Sequence, residues 1–227
     1  VSAAVLASAG AASSEALLAG WRRQPRGEGE ARTFLWDLAF RMPSVKLMPG
    51  EYFVHDRDDL LITTVLGSCV AVCLLERSAG LGGMNHFMLP DGGSAGRYGV
   101  YAMEVLINTL MKRGARRDRL EAKVFGGAQV LRAVTGLGVG EHNVRFIDAF
   151  LEAERIPLVS RDVLGTQPRK VCLLPAAGRV LVRKLADANA DDLARAETAL
   201  RHRLGRAATV AGAGSVEWFD TPGTGSR

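Results

Sequence analysis

Apolar and polar positions are loosely patterned over the first 41 residues and tightly patterned from residue 44 onward. Leu60-Leu61-Ile62-Thr63-Thr64-Val65 is apolar and β-branched, which predicts a strand. Leu66-Gly67-Ser68 interrupts it, and residues 70–75 form a continuous apolar run of the kind a buried strand carries. Glycines at 80, 82 and 83 mark a turn into a third strand, 84–89, which Pro90-Asp91-Gly92-Gly93 stops. Residues 92–97 read as a polar, glycine-rich loop. Met103, Leu106 and Leu110 share a face at helical spacing, so 99–113 is a predicted helix ending at Gly114. Residues 120–125 form a strand closed by Gly126-Gly127-Ala128. A second amphipathic helix over 141–154 follows, with Val144, Ile147, Phe150 and Leu151 on one face. Residues 157–163, 170–174 and 179–185 are strands, the last two joined by a hairpin turn at Pro175-Ala176-Ala177-Gly178.

The flanks differ from this core. Residues 1–41 read as an N-terminal extension, Ala/Ser/Gly-rich and then charged and turn-rich, expected to be poorly ordered apart from a short helix at 31–40. The chain begins with Val, consistent with a translation start at Met42 or Met48. Residues 42–186 make the main domain. Residues 187–227 carry a charged helix over 188–204 and a Gly-rich tail with an apolar island, Val216-Glu217-Trp218-Phe219. Strands and helices mix irregularly, with antiparallel hairpin signals. The expected fold is therefore α+β, a layered α/β sandwich of mixed and antiparallel sheet with flanking helices, rather than a doubly wound sheet.

Composition narrows the class. A chain of 227 residues with 48% hydrophobic content can bury a core without disulfides or metal. No apolar run reaches the roughly 18 residues of a spanning helix, so the chain is not expected to be membrane-embedded. The formal charge of +5 permits acidic partners without demanding nucleic acid, and aromatics at 6% supply a poor base-stacking platform. Lys112, Arg113, Arg116, Arg117 and Arg119 gather just past the first helix as a solvated basic face. Three cysteines, Cys69, Cys73 and Cys172, are too few for a secreted disulfide framework and point to a reducing compartment. Cys69 and Cys73 lack a second ligand pair at zinc-finger spacing, and the histidines are scattered, so neither a metal nor a cofactor is expected.

The sharpest local chemistry is Gly67-Ser68-Cys69, a thiol placed after a glycine turn and before a buried strand. Such a turn can expose the sulfur beside backbone N–H groups able to hold an oxyanion. If the strands on either side of the Gly80–Gly83 turn form a hairpin, His86 faces Cys69. An imidazole could then take the thiol proton and later protonate a leaving group. A third group must orient the ring, and the Thr63 hydroxyl is a candidate. Spacing alone leaves the alternative open that Cys69 is a small buried hydrophobe and His86 a hydrogen-bonded core histidine. Cys73 and Cys172 lie inside apolar runs and read as core. Gly126-Gly127-Ala128 reads as a tight turn, since it lacks the glycine spacing and Lys of a phosphate loop.

Ordered motifs carry a resemblance. Leu66-Gly67-Ser68-Cys69-Val70-Ala71-Val72, then Gly82-Gly83-Met84-Asn85-His86-Phe87-Met88-Leu89-Pro90, resemble the chemoreceptor glutamine deamidase family, CheD. So do Ala122-Lys123-Val124-Phe125-Gly126-Gly127-Ala128, Gly140-Glu141-His142-Asn143-Val144, Pro168-Arg169-Lys170-Val171, Gly178-Arg179-Val180-Leu181-Val182 and the tail Gly214-Ser215-Val216-Glu217-Trp218-Phe219. The likeness runs from about residue 45 to 185, plus that tail. It implies a catalytic set of Cys69, His86 and Thr63, with Gly67 and Ser68 in the oxyanion loop. It implies a layered fold similar to the deamidase domain of cytotoxic necrotizing factor toxins. The implied activity is cytoplasmic deamidation of glutamine side chains on methyl-accepting chemotaxis receptors, through a thioester, with a CheC-type phosphatase as a further partner in some bacteria. The alternative within the same reading is a non-catalytic chemotaxis adaptor that binds receptors or the phosphatase. Two features depart from the family pattern or leave it open. Leu164 stands where a glycine is usual, and Thr63 is followed by Thr64, so which hydroxyl faces His86 rests on alignment.

Overall fold

The computed structural model describes residues 14–89, 95–129, 138–185 and residue 199. Helix α1 covers residues 14–23. It is followed by β1 (Thr33–Asp37), β2 (Met42–Lys46), β3 (Tyr52–His55), β4 (Leu61–Leu66), β5 (Val70–Glu76) and β6 (Leu81–Phe87). Then come α2 (Ala95–Lys112), a single 3-10 turn (Arg117–Arg119), β7 (Glu121–Gly126) and α3 (Val139–Ala153). Strands β8 (Leu158–Val163), β9 (Arg169–Leu174) and β10 (Arg179–Lys184) complete it. The tail island and, apart from residue 199, the helix expected over 188–204 lie outside the described residues.

The strands form two five-stranded sheets. One has the order β3-β6-β5-β7-β8, antiparallel except for the parallel pair β7–β8, which α3 connects. The other has the order β1-β2-β4-β9-β10, antiparallel except for β2–β4. This is the expected α+β layering of mixed sheets. All seven residues of β5 are buried, as the unbroken apolar run requires of a central strand covered on both faces. One face, Val70, Val72 and Leu74, packs with Met103, Leu106 and Leu110 of α2 and Val144 and Ile147 of α3. The other face, Ala71, Cys73 and Leu75, meets Val45, Ile62, Leu66, Val171 and Leu173 of the second sheet. The helices therefore cover one side of the first sheet, and the second sheet covers the other.

The structure corrects three expectations. Residues 33–37 are a strand rather than part of a short helix at 31–40: Phe34 and Leu35 pair with Val45 and Ser44, and tertiary pairing overrides local spacing. Residues 14–41 are not a poorly ordered stretch. Leu18, Ala31 and Phe34 are buried in the inter-sheet core, and each large apolar side chain placed there contributes roughly 1.5–3 kcal/mol. The polar loop at 92–97 is shorter than expected on its C-terminal side, since α2 already begins at Ala95.

Candidate active site

The hairpin that would bring His86 to Cys69 is formed. In the β5–β6 register Ala71 lies opposite His86 and Val70 opposite Phe87. Side chains alternate along a strand, so Cys69 and Ala71 share the inter-sheet face with Met84, His86 and Met88. Cys69 and His86 are then diagonal neighbours on one face, a relation within reach of a side chain as long as histidine. Both are buried.

The threonine hydroxyl beside His86 is not the one expected. Along β4, Ile62, Thr64 and Leu66 face the other sheet, whereas Thr63 turns to the outer face. The Thr63 hydroxyl donates to the Val45 carbonyl at 3.3 Å, within a groove lined by Leu35, Asp37, Ser44, Lys46 and Lys170. The Thr64 hydroxyl lies 2.8 Å from His86 Nδ1 and 3.0 Å from the Leu47 carbonyl. A hydroxyl has one proton. Donating it to Leu47 leaves the Thr64 oxygen to accept the proton carried by Nδ1. The Leu47 carbonyl is itself 3.4 Å from Nδ1, which favours the same tautomer. His86 Nε2 then carries the lone pair, the state a general base needs.

The turn that presents Cys69 is held from below by Gly126-Gly127-Ala128. Gly127 N–H donates to the Cys69 carbonyl and Ala128 N–H to the Gly67 carbonyl, both at 2.7 Å. Gly126 has φ of +107°, and a Cβ there would sit 2.2 Å from the Cys69 carbonyl oxygen, so only glycine fits. Sequence reasoning identified the tight turn but not its role under the thiol. The signal available was the glycine pair at the end of a strand.

The cysteines are chemically unequal. Cys73 is fully buried mid-strand, and desolvation, only partly offset by Lys123, pushes its thiol up to about 12. Burial also raises Cys172. Both therefore stay protonated and inert at neutral pH. Beside His86 is a recess lined by Glu28, Gly29, Gly50, Tyr52, Tyr98 and Tyr101. Burial pushes the Tyr98 phenol up, and the charge of Cys69 adds to the rise. Two walls of this recess come from residues 28–29 and the start of α2, neither of which the sequence marked as part of a site. Of the remaining histidines, His55 Nε2 is bound to Asp59 at 2.6 Å, away from the thiol. Among the described residues no cluster of His, Cys, Asp and Glu has the arrangement of a metal site.

Comparison with known proteins places this chain among close relatives. A family model described as CheD chemotactic sensory transduction matches residues 88–184. A probable chemoreceptor glutamine deamidase CheD 1 of Albidiferax ferrireducens is 52% identical over 87% of this chain and 85% of its own length. Proteins of the same description, probable chemoreceptor glutamine deamidase CheD, are 48% identical in Xanthomonas campestris (81% of this chain, 93% of the relative) and 46% in Bordetella avium (87% and 90%). Among solved structures, the Bacillus licheniformis hypothetical protein YfiH aligns with half of the chain and 51% of its own, at 17% identity and a TM-score of 0.35.

Proposed function

The chain belongs to the CheD family, and from that premise we propose that it is a protein-glutamine glutaminase acting on chemoreceptors, with Cys69 as nucleophile, His86 as acid and base, and Thr64 orienting His86. The observation that carries this reading is the Thr64–His86 contact behind a ring that shares its sheet face with Cys69.

In this mechanism His86 Nε2 takes the Cys69 proton, and Sγ attacks the side-chain amide carbon of a receptor glutamine. The carbonyl oxygen becomes an oxyanion held by backbone N–H groups of the Gly67-Ser68-Cys69 turn. The imidazolium returns its proton to the amide nitrogen, the C–N bond breaks, ammonia leaves and a thioester remains. Water attacks the thioester as His86 accepts its proton, the C–S bond breaks, and glutamate and the thiol are released. Thr64 is neutral, so it fixes the tautomer without the added basicity that a carboxylate partner would give.

The same reading carries the fold likeness to the toxin deamidase domain, a cytoplasmic setting beside the receptors' signalling helices, and a CheC-type phosphatase as second partner. Among the described residues no helix is long and apolar enough to cross a membrane, which suits an enzyme that meets its receptors from outside the bilayer.

The test is ammonia release from purified receptor cytoplasmic fragments, with mass spectrometry of their peptides. A gain of about one dalton per converted glutamine is expected with the native chain and none with Cys69→Ala. Conversion retained in Cys69→Ala would refute the assignment. Tight receptor binding with no mass change in either protein would favour the adaptor.

A further inference from the structure

Asn143 sits in the first turns of α3, is fully buried, and lies beside the apolar face formed by Val144, Ile147 and Leu151. An asparagine inside a helix is a poor helix former, and an unpaired amide in a core is costly. Here both ends of the amide are used, and neither partner is local. Nδ2 donates to the Ser68 carbonyl at 2.8 Å, and Oδ1 accepts the Leu89 N–H at 2.9 Å. One side chain thus joins the turn that presents Cys69 to the chain leaving β6 just after His86.

The Ser68 carbonyl belongs to the same peptide unit as the Cys69 N–H. No cis peptide occurs among the described residues, and in a trans unit C=O and N–H point in opposite directions. Anchoring the carbonyl on α3 therefore fixes where the Cys69 N–H points. The next peptide unit is anchored too, because the Cys69 carbonyl accepts from Gly127 N–H at 2.7 Å. Gly127 is in turn set by α3: a Cβ on Gly140 would lie 2.2 Å from the Gly127 carbonyl oxygen, so the helix and the glycine turn touch backbone to backbone. The peptide units on both sides of the Cys69 Cα are held by the start of one helix.

We infer that Asn143 is a positioning residue for deamidation. It holds the Ser68–Cys69 peptide so that the Cys69 N–H is aimed at the oxyanion, and it fixes that turn relative to the strand bearing His86. This rests on the reading of Cys69 as nucleophile. Donation by the amide to the Ser68 carbonyl also polarises the peptide and strengthens its N–H as a donor. The effect is specific to a step that builds negative charge on oxygen. Attack of the same thiolate on an alkyl halide builds none there and does not need the aimed N–H.

That difference gives the experiment. Deamidation of receptor fragments and alkylation of Cys69 by iodoacetamide, mapped by mass, are measured in Asn143→Ala and Asn143→Asp. The Asp variant keeps an acceptor for Leu89 N–H and loses the donor to Ser68. An unfolded chain is alkylated too, so both rates are measured where circular dichroism shows each variant folded, and deamidation is expressed per folded molecule. In each variant kcat is expected to fall about 10- to 100-fold with KM within about 2-fold, as for a misaimed oxyanion donor, while alkylation changes by less than about 3-fold. Unchanged kcat overturns the inference. So does a change in alkylation, in either direction, as large as the fall in kcat, which would mark Asn143 as a brace of the fold alone. Cys69→Ala, run alongside, separates the two failures. If it retains deamidation, the nucleophile reading has failed; if it is dead while the Asn143 variants are normal, only this inference has.

Discussion

Two polar groups enter the same inter-sheet core, and they find their partners in opposite ways. Arg26, from the segment between α1 and β1, is only 7% exposed along its side chain. Its guanidinium lies 4.9 Å from the Phe34 ring centre, 5.0 Å from Phe53 and 5.9 Å from Trp21. It binds Glu30 Oε1 and the Trp21 carbonyl, each at 3.1 Å. Apart from Phe53, every partner lies within residues 21–34. The Cys69 site draws instead on β4, β6, the chain after β2 and the turn before β5, and its polar contacts span 17 to 75 residues of sequence. A polar group whose partners are local fastens one segment. A set assembled from distant strands can place a thiol, an imidazole and a hydroxyl on one face, a geometry no local segment supplies.

The contrast is broken most directly at the paired threonines. Thr64→Val removes the acceptor for His86 Nδ1–H and frees the ring to adopt the wrong tautomer. Its kcat for receptor deamidation should fall about 10- to 100-fold, within the range for a weakened general base, and Thr64→Ser should restore most of it. Thr63→Val removes only an outer-face hydrogen bond to Val45 and should leave kcat within about 2-fold, with stability lowered by about 1 kcal/mol. Steady-state rates of the three variants decide it. A larger loss in Thr63→Val than in Thr64→Val would reverse the assignment and return the role to Thr63, the residue that the family resemblance implies.

The threonines also show where sequence reading stops. From β4 to β10 the elements were legible because apolar runs are bounded by Gly and Pro, and the Cys69–His86 pairing followed from one hairpin. Parity on β4 was not legible. Leu60, Ile62, Thr64, Leu66 and Leu61, Thr63, Val65 are both apolar rows, so alternation cannot say which meets the second sheet. Strands β1 to β3 were missed because they are only four or five residues long. Pro43 interrupts β2, and Phe34, Leu35 and Leu38 fall at helix-compatible spacing. Asn143 stayed in a motif without a role, since its partners are backbone groups 54 and 75 residues away.

Arg26 tests the other half of the comparison. Arg26→Met keeps an apolar stem among Trp21, Phe34 and Phe53 but strips Glu30 Oε1 of its partner. The expected cost is about 2–3 kcal/mol, near the lower end for breaking a buried pair with a stacked cation. It should appear as a lower denaturation midpoint. Deamidation per folded molecule should stay within about 2-fold. A collapse of kcat at full stability would mean that this segment, which also supplies Glu28 and Gly29 to the recess beside His86, acts on the substrate rather than on the fold.

The smallest effect sits beneath the turn that bears Cys69. Leu164 has φ of +62°, the left-handed region that costs a residue with a Cβ roughly 1–2 kcal/mol. The strain is held in place from three sides. Leu164 N–H donates to the Gly126 carbonyl at 2.8 Å, Gln129 N–H binds the Gly165 carbonyl at 2.7 Å, and buried Arg169 reaches the Leu164 carbonyl as well as the Asp162 carboxylate at 2.9 Å. Because Leu164 also packs against the helix-side core, replacing it by glycine alone mixes lost burial with relieved strain. The clean comparison is Leu164→Gly against Leu164→Ala, which lose similar packing. At an ordinary position glycine is the less stable of the two; here it should be the more stable by about 1 kcal/mol, read from denaturant midpoints. If alanine matches or exceeds glycine, the turn relaxes without a left-handed residue. The ladder from Arg169 through Gly126 to the Cys69 carbonyl would then be softer than these contacts imply.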